Sequence, residues 1–141
     1  MTLRRGVLAV ALAVIAVIVA WWLWPSAATQ SPRMTAGPYL VRLTVNDGSH
    51  TSDGAHTGDN AVDLEITDHA GNPVTPDQVA VEPAMPQMGH AVPPAAAEPI
   101  TPGRYRATVN LPMPGQWEIA VDLSGPEGSG RATFAVQAKA D

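Results

Sequence analysis

The 141-residue chain contains no cysteine, which excludes disulfides, thiolate zinc sites and cysteine nucleophiles and leaves any soft-metal chemistry to Met and His. Basic residues are scarce, 8 against 13 acidic ones, for a net charge of −5. Two of the eight, Arg4 and Arg5, stand at the extreme N-terminus; setting them aside leaves six against 13, a net of −7. No cluster of Lys or Arg along the rest of the chain offers a phosphate-tracking surface, so a nucleic-acid partner is not expected. No glycine-rich phosphate loop follows a strand pattern, and neither G-x-S-x-G nor H-E-x-x-H occurs. Asp63, Glu65 and Glu118 fall on the polar side of strand patterns, so no paired carboxylates suggest hydrolysis. An enzyme is not expected. No stretch after residue 25 keeps a helical period, and no internal repeat is evident.

Apolar residues are abundant but unevenly placed. Val7 to Trp24 is an uncharged run of 18 residues behind Arg4 and Arg5. As a helix it is about 27 Å long, close to the roughly 30 Å hydrocarbon core of a bilayer. The arginines hold residues 1–6 in the cytoplasm, and Trp21, Trp22 and Trp24 form an aromatic belt at the far interface. The expectation is a single-pass anchor over 7–24 with everything beyond it outside the cell. Ser26 and Ala28 give a small-x-small pattern, so a cleaved signal peptide is the alternative; both export the remainder. Residues 25–38 are small, polar and Pro-containing and read as a flexible spacer.

From Tyr39 the apolar period becomes two. Tyr39, Val41, Leu43 and Val45 form one such series, and Val62, Leu64 and Ile66 another. Tyr105 to Leu111, Trp117 to Leu123, and Ala132 to Val136 continue it, with Val79 and Val81 as a shorter piece. Six or seven short strands, each with one apolar face, predict an all-β antiparallel sandwich over 39–137, with 138–141 as a tail. Gly and Pro punctuate the strands at 68–73, 101–103, 114–115 and 125–128. The alternation predicts a hairpin over 110–118 with a three-residue loop, Pro114 to Gln116, pairing Leu111 with Ile119 and Val109 with Val121 and setting Met113 against Trp117.

Met85-Pro86-Gln87-Met88-Gly89-His90 does not read as core or simple turn. Met1 is the initiator and Met34 lies in the spacer, so Met85, Met88 and Met113 are all the methionines of the folded domain. Pro86 presets a β-turn that brings Met85 and Met88 together, and Gly89 lets His90 swing to the same side. Two thioethers and an imidazole suit Cu(I) and discriminate against Mg(II), Ca(II) and Mn(II). Met113 is the candidate fourth ligand and Trp117 a candidate cation–π cap, although both also fit as core. Thioethers bind no proton near neutral pH, so His90 is the one donor of the set at which a proton competes with the metal. His50 and His56 share a loop with Asp47, Asp53 and Asp59 that could offer a second site; its six-residue spacing is unlike an EF-hand. His69 lies in a Gly-Pro turn and is expected to be exposed.

The chain resembles the YtkA-like and FixH family of exported bacterial domains. The resemblance rests on Gly58 and Asn60, on Asp68 with Gly71 and Pro73, on Met85 to His90, on Pro102 to Tyr105 and on Met113 to Ile119, and it covers about 39–137. It implies a membrane-tethered sandwich of immunoglobulin-like topology in the bacterial plasma membrane, linked to copper handling or to assembly of copper-containing respiratory oxidases. The function expected is capture of Cu(I) and its transfer to, or receipt from, a membrane protein partner. The alternative is a metal-free interaction module that docks an edge strand or the Pro-rich 91–99 loop onto a membrane complex during assembly.

Overall fold

A computed structural model describes residues 32–46 and 54–140. Among these residues no helix is long and apolar enough to cross a membrane. The 7–24 run and His50 lie outside the described residues. Residues 31–141 form a compact unit of their own.

Among the described residues eleven strands build two sheets. The first has the order β1 (Met34–Ala36), β2 (Tyr39–Asn46), β4 (Gly58–Thr67), β9 (Arg104–Leu111) and β8 (Glu98–Thr101). The second runs β3 (Ala55–His56), β11 (Gly128–Lys139), β10 (Gly115–Gly125), β5 (Gln78–Met85) and β6 (His90–Ala91), with β7 (Ala95–Ala96) also on β5. The alternation decides what is buried: Val41, Leu43, Val62, Leu64, Ile66, Val79, Val81, Val109, Leu111, Trp117, Ile119 and Val121 all belong to one core cluster. Every strand read from the period of two is present, and the fold is an all-β sandwich.

Three features differ from expectation. The 110–118 hairpin does not form, because β9 pairs with β4 and β8 in one sheet while β10 pairs with β5 and β11 in the other. Pro112 and Pro114 lack the N–H groups that would continue a ladder, so the chain crosses between sheets there. Leu111 and Ile119 then face the same core from opposite sides, which satisfies their alternation equally well. The sheet also begins before Tyr39: Met34–Ala36, in the segment read as spacer, turns back at Gly37-Pro38 and pairs with β2, burying Ala36. At the other end β11 continues to Lys139 and takes up β3 as a parallel neighbour, through Ala138 with Ala55 and Lys139 with His56. The sandwich is therefore not wholly antiparallel.

The Pro-rich 91–99 segment has a structural task. It runs along the free edge of β5, where Val92 N–H donates to the Pro83 carbonyl (3.0 Å) and Ala97 N–H to that of Val79 (2.8 Å), then enters the first sheet as β8. Pro83 points its backbone toward this irregular edge, so its missing N–H costs the β10 ladder nothing.

Asn60 is buried and clamps the start of β4. Its side-chain oxygen accepts the His56 N–H (2.9 Å), and its amide donates to the carbonyls of His56 (2.7 Å) and Gly58 (2.9 Å). Asp68 shapes the next turn, accepting the N–H groups of Ala70 and Asn72 (both 2.9 Å) and the Asn72 side-chain amide (3.2 Å). The Asn72 backbone N–H, followed by the other donors, holds the Asp68 carboxyl below its ordinary pKa.

Asn60→Ala strips three part-buried hydrogen bonds at once and should cost about 2–3 kcal/mol in a urea titration of residues 31–141. Asp68 contributes stability that is complete above the unfolded pKa of about 3.9 and is lost as pH falls through its lower folded value. Thermal melts of Asp68→Asn should therefore show a shallower loss of stability below about pH 4 than the parent.

Candidate functional site

Parity along β5 carries Val79, Val81, Pro83 and Met85 inward, and Met85 is the last residue of that strand. The turn expected after it is a single 3-10 turn, Pro86–Met88, closed by Gly89 N–H donating to the Pro86 carbonyl (3.0 Å). Gly89 has φ +62°, a left-handed conformation that a residue with a β-carbon adopts at a cost. The chain thereby reverses within four residues, and β6 returns antiparallel with Met85 opposite His90 and Ala84 opposite Ala91.

Directly opposed residues share a face with β-carbons about 4.5–5.5 Å apart, so the Met85 and His90 side chains leave the sheet on the same side. The β5–β10 register, Glu118 with Ala84, places Trp117 next in line beside Met85. A row thus crosses three neighbouring strands: Trp117, Met85, His90. The His90 and Trp117 rings meet edge to face, centroids 5.9 Å apart at 77°. Trp117 is completely buried, and its indole N–H donates to the Met113 carbonyl (3.0 Å), tying β10 to the sheet-crossing segment. Trp117 is a core anchor whose ring also supports His90. Met113 is partly buried and packs on the core.

The two methionines of the loop occupy opposite environments. Met85 is 4% exposed, and its methyl lies 3.3 Å from where a β-carbon on Gly115 would stand; Met88, on the turn, is 66% exposed. His90 is exposed at the sheet edge. The structure therefore brings together Met85, His90 and Trp117, ties Trp117 to the backbone of Met113, and presents Met88 to solvent.

Gln87 was not marked by its sequence position between the two methionines. Its side-chain amide donates to the Gln116 carbonyl (2.8 Å) and fastens the turn to the start of β10. A glutamine at a position without pattern carries no signal until the fold sets it against a free carbonyl.

Among the described residues no three His, Asp or Glu side chains gather as a metal-ligand group. The donors at this end are thioethers and one imidazole, a set that fits a soft monovalent ion. His56 lies in β3 with its backbone held by Asn60, whereas His50 is outside the described residues. His69 is exposed, its Nε2 lying 3.2 Å from the Gly37 carbonyl.

The YtkA-like family model matches residues 34–122. Among solved structures, the soluble domain of PmoD from Methylocystis sp. (Rockwell) aligns with a TM-score of 0.54 at 15% identity, covering 79% of this chain and 100% of that one. An engineered protein aligns with a TM-score of 0.47 at 20% identity over 70% of this chain, which spans only 20% of that protein's length. No curated protein matches. The PmoD likeness supports the sandwich architecture.

The difference in exposure makes a direct prediction. Under limiting peroxide, peptide mass spectrometry should find Met88 sulfoxide well before Met85 sulfoxide; equal rates would mean that Met85 is not held in the core.

Proposed function

The chain belongs to the YtkA-like family, and from that premise we propose that it is a membrane-tethered extracytoplasmic protein that captures Cu(I) and passes it to a partner. In this reading residues 7–24 anchor an immunoglobulin-like sandwich to the bacterial plasma membrane, and the partner is a membrane protein that receives or donates copper. The observation that carries it is the registered pair Met85 and His90 beside Trp117, with Met88 exposed on the intervening turn. Copper here is cargo, and the chain performs no reaction on it.

The chemistry follows from the donors. Thioether sulfur and neutral imidazole carry no charge, so they hold Cu(I) by softness and exchange it readily against a partner's ligands. Met88, standing in solvent, is the donor that meets an incoming ion. His90 supplies the nitrogen and is the one member of the set that a proton displaces. Met85, on the rigid side of the turn, fixes where the ion settles, and Met113 is the further sulfur at that end. Gln87 keeps the turn seated on β10 so that these groups remain neighbours.

Residues 31–141 contain the entire core cluster, from Ala36 to Ala138, and serve as the test protein. Trp117 is the sole tryptophan in that range, so its emission reports on His90 directly. In a Cu(I) competition titration, Met88→Ala and His90→Ala should each weaken binding about tenfold or more, roughly 1.4 kcal/mol. The Trp117 emission change should accompany binding in the parent and vanish in His90→Ala. Equal, weak binding by all three proteins would leave the metal-free assembly module as the function.

A further inference from the structure

The chain has no run of basic residues, yet the first sheet assembles three arginines from three strands. On its outer face Arg42 of β2 and Arg104 of β9 both stand opposite Glu65 of β4. Arg33, which precedes β1, reaches the same carboxylate. The three guanidiniums lie 3.5 Å (Arg33), 3.8 Å (Arg42) and 3.9 Å (Arg104) from Glu65 oxygens. All three distances are at or beyond the limit of a hydrogen bond, so one carboxylate is shared loosely among three cations. Arg42 Nε, moreover, is buried without a hydrogen-bond partner. The row carries a surplus of two positive charges in a protein whose remainder is acidic.

Other ion pairs of the fold show the opposite balance. Arg131 is held by two carboxylates, Asp122 at 2.7 Å and Glu82 at 3.4 Å. Arg106, in the neighbouring row, makes a close two-point contact with Asp63 (2.6 and 3.2 Å) and stands opposite Glu98. Those cations are satisfied, whereas the Glu65 row lacks acceptors. Guanidinium forks match the planar spacing of oxyanions, and several of them around one point favour phosphate over a monovalent carboxylate.

We propose that Arg33, Arg42 and Arg104 form an oxyanion site that takes a phosphate group, from a lipid headgroup or from free phosphate. The position of Arg33 favours the lipid. Eight residues separate it from Trp24, so in a chain anchored by 7–24 the segment that leads to this row is at most about 30 Å long when fully extended. The lipid source rests on that anchored reading; the site itself does not, and neither depends on copper. Along β4, Glu65 lies seven residues from Gly58, the level of Leu111 and the sheet crossing, so the row stands about 23 Å from the end that carries Met85 and His90. Lipid phosphates at the arginines would leave that end facing away from the membrane.

The test uses residues 31–141 with inorganic phosphate in one arm and, in the other, vesicles of phosphatidylcholine with or without phosphatidylglycerol. Side-chain NMR signals of Arg33, Arg42 and Arg104 should shift saturably with phosphate while those of Arg131 stay in place. Arg104→Gln, a change at an exposed position, should weaken binding about tenfold, and Glu65→Gln should strengthen it about threefold by removing the competing carboxylate. Phosphatidylglycerol vesicles should bind more tightly than phosphatidylcholine alone and be released by high salt. Saturation by phosphate with no preference for the charged vesicles would assign free phosphate as the ligand and overturn the lipid source. Equal shifts at Arg131, or weaker binding by Glu65→Gln, would overturn the site.

Discussion

Trp117 is the side chain on which the working end of this domain depends. Among the described residues it is the largest fully buried one, and burying an indole is favourable only if its N–H finds an acceptor in the core. The acceptor is the Met113 carbonyl, which lies in the segment that crosses from one sheet to the other. One hydrogen bond therefore fixes the path of the crossover against the first residues of β10. The same ring supports His90 from the side, and Met85 stands on the strand that runs between the two. Loss of the indole would at once free the crossover, open the core and leave His90 without a wall.

The strands were legible because a sandwich imposes a simple rule: each strand hides one face, so apolar residues must recur at every second position. Tyr39 to Val45, Val62 to Ile66 and Tyr105 to Leu111 obey it, and all three are inward-facing strands of the core. Parity says which face is hidden but not which neighbour a strand takes. For Leu111 and Ile119, lying side by side in one sheet and facing each other across two sheets satisfy the same pattern, and only the missing N–H groups of Pro112 and Pro114 separate the cases. Short strands were not legible at all. Met34–Ala36, His90–Ala91 and Ala95–Ala96 are too brief to show a period, and they form because an edge of β2 or β5 was left to cover.

At the candidate site the sequence offers the donor types, and the structure adds where they stand, which was legible only in part. The sequence marks Met85, Met88 and His90 as a donor set but treats the two methionines alike. Their difference follows from the strand before them: the inward parity of Val79, Val81 and Pro83 continues to Met85, whereas Met88 belongs to the turn and has no parity to inherit. His90 becomes the partner of Met85 because the turn takes four residues, Pro86 to Gly89, before the ladder resumes. A turn of three or five would displace the histidine along the ladder and part it from the methionine.

This asymmetry bears on what a carrier needs. A site made wholly of exposed side chains would have to order every ligand on binding, and the entropy lost from flexible methionine side chains would oppose capture. A site made wholly of buried ones would hold its ion against any acceptor. Here Met85 is ordered in advance by the core, Trp117 stands against His90 on one side, and Met88 lies exposed on the turn. Under the proposed function, retention is the work of the buried half of the loop and exchange that of the exposed half. The short Pro-to-Gly turn joins the two halves closely enough for one ion to engage both.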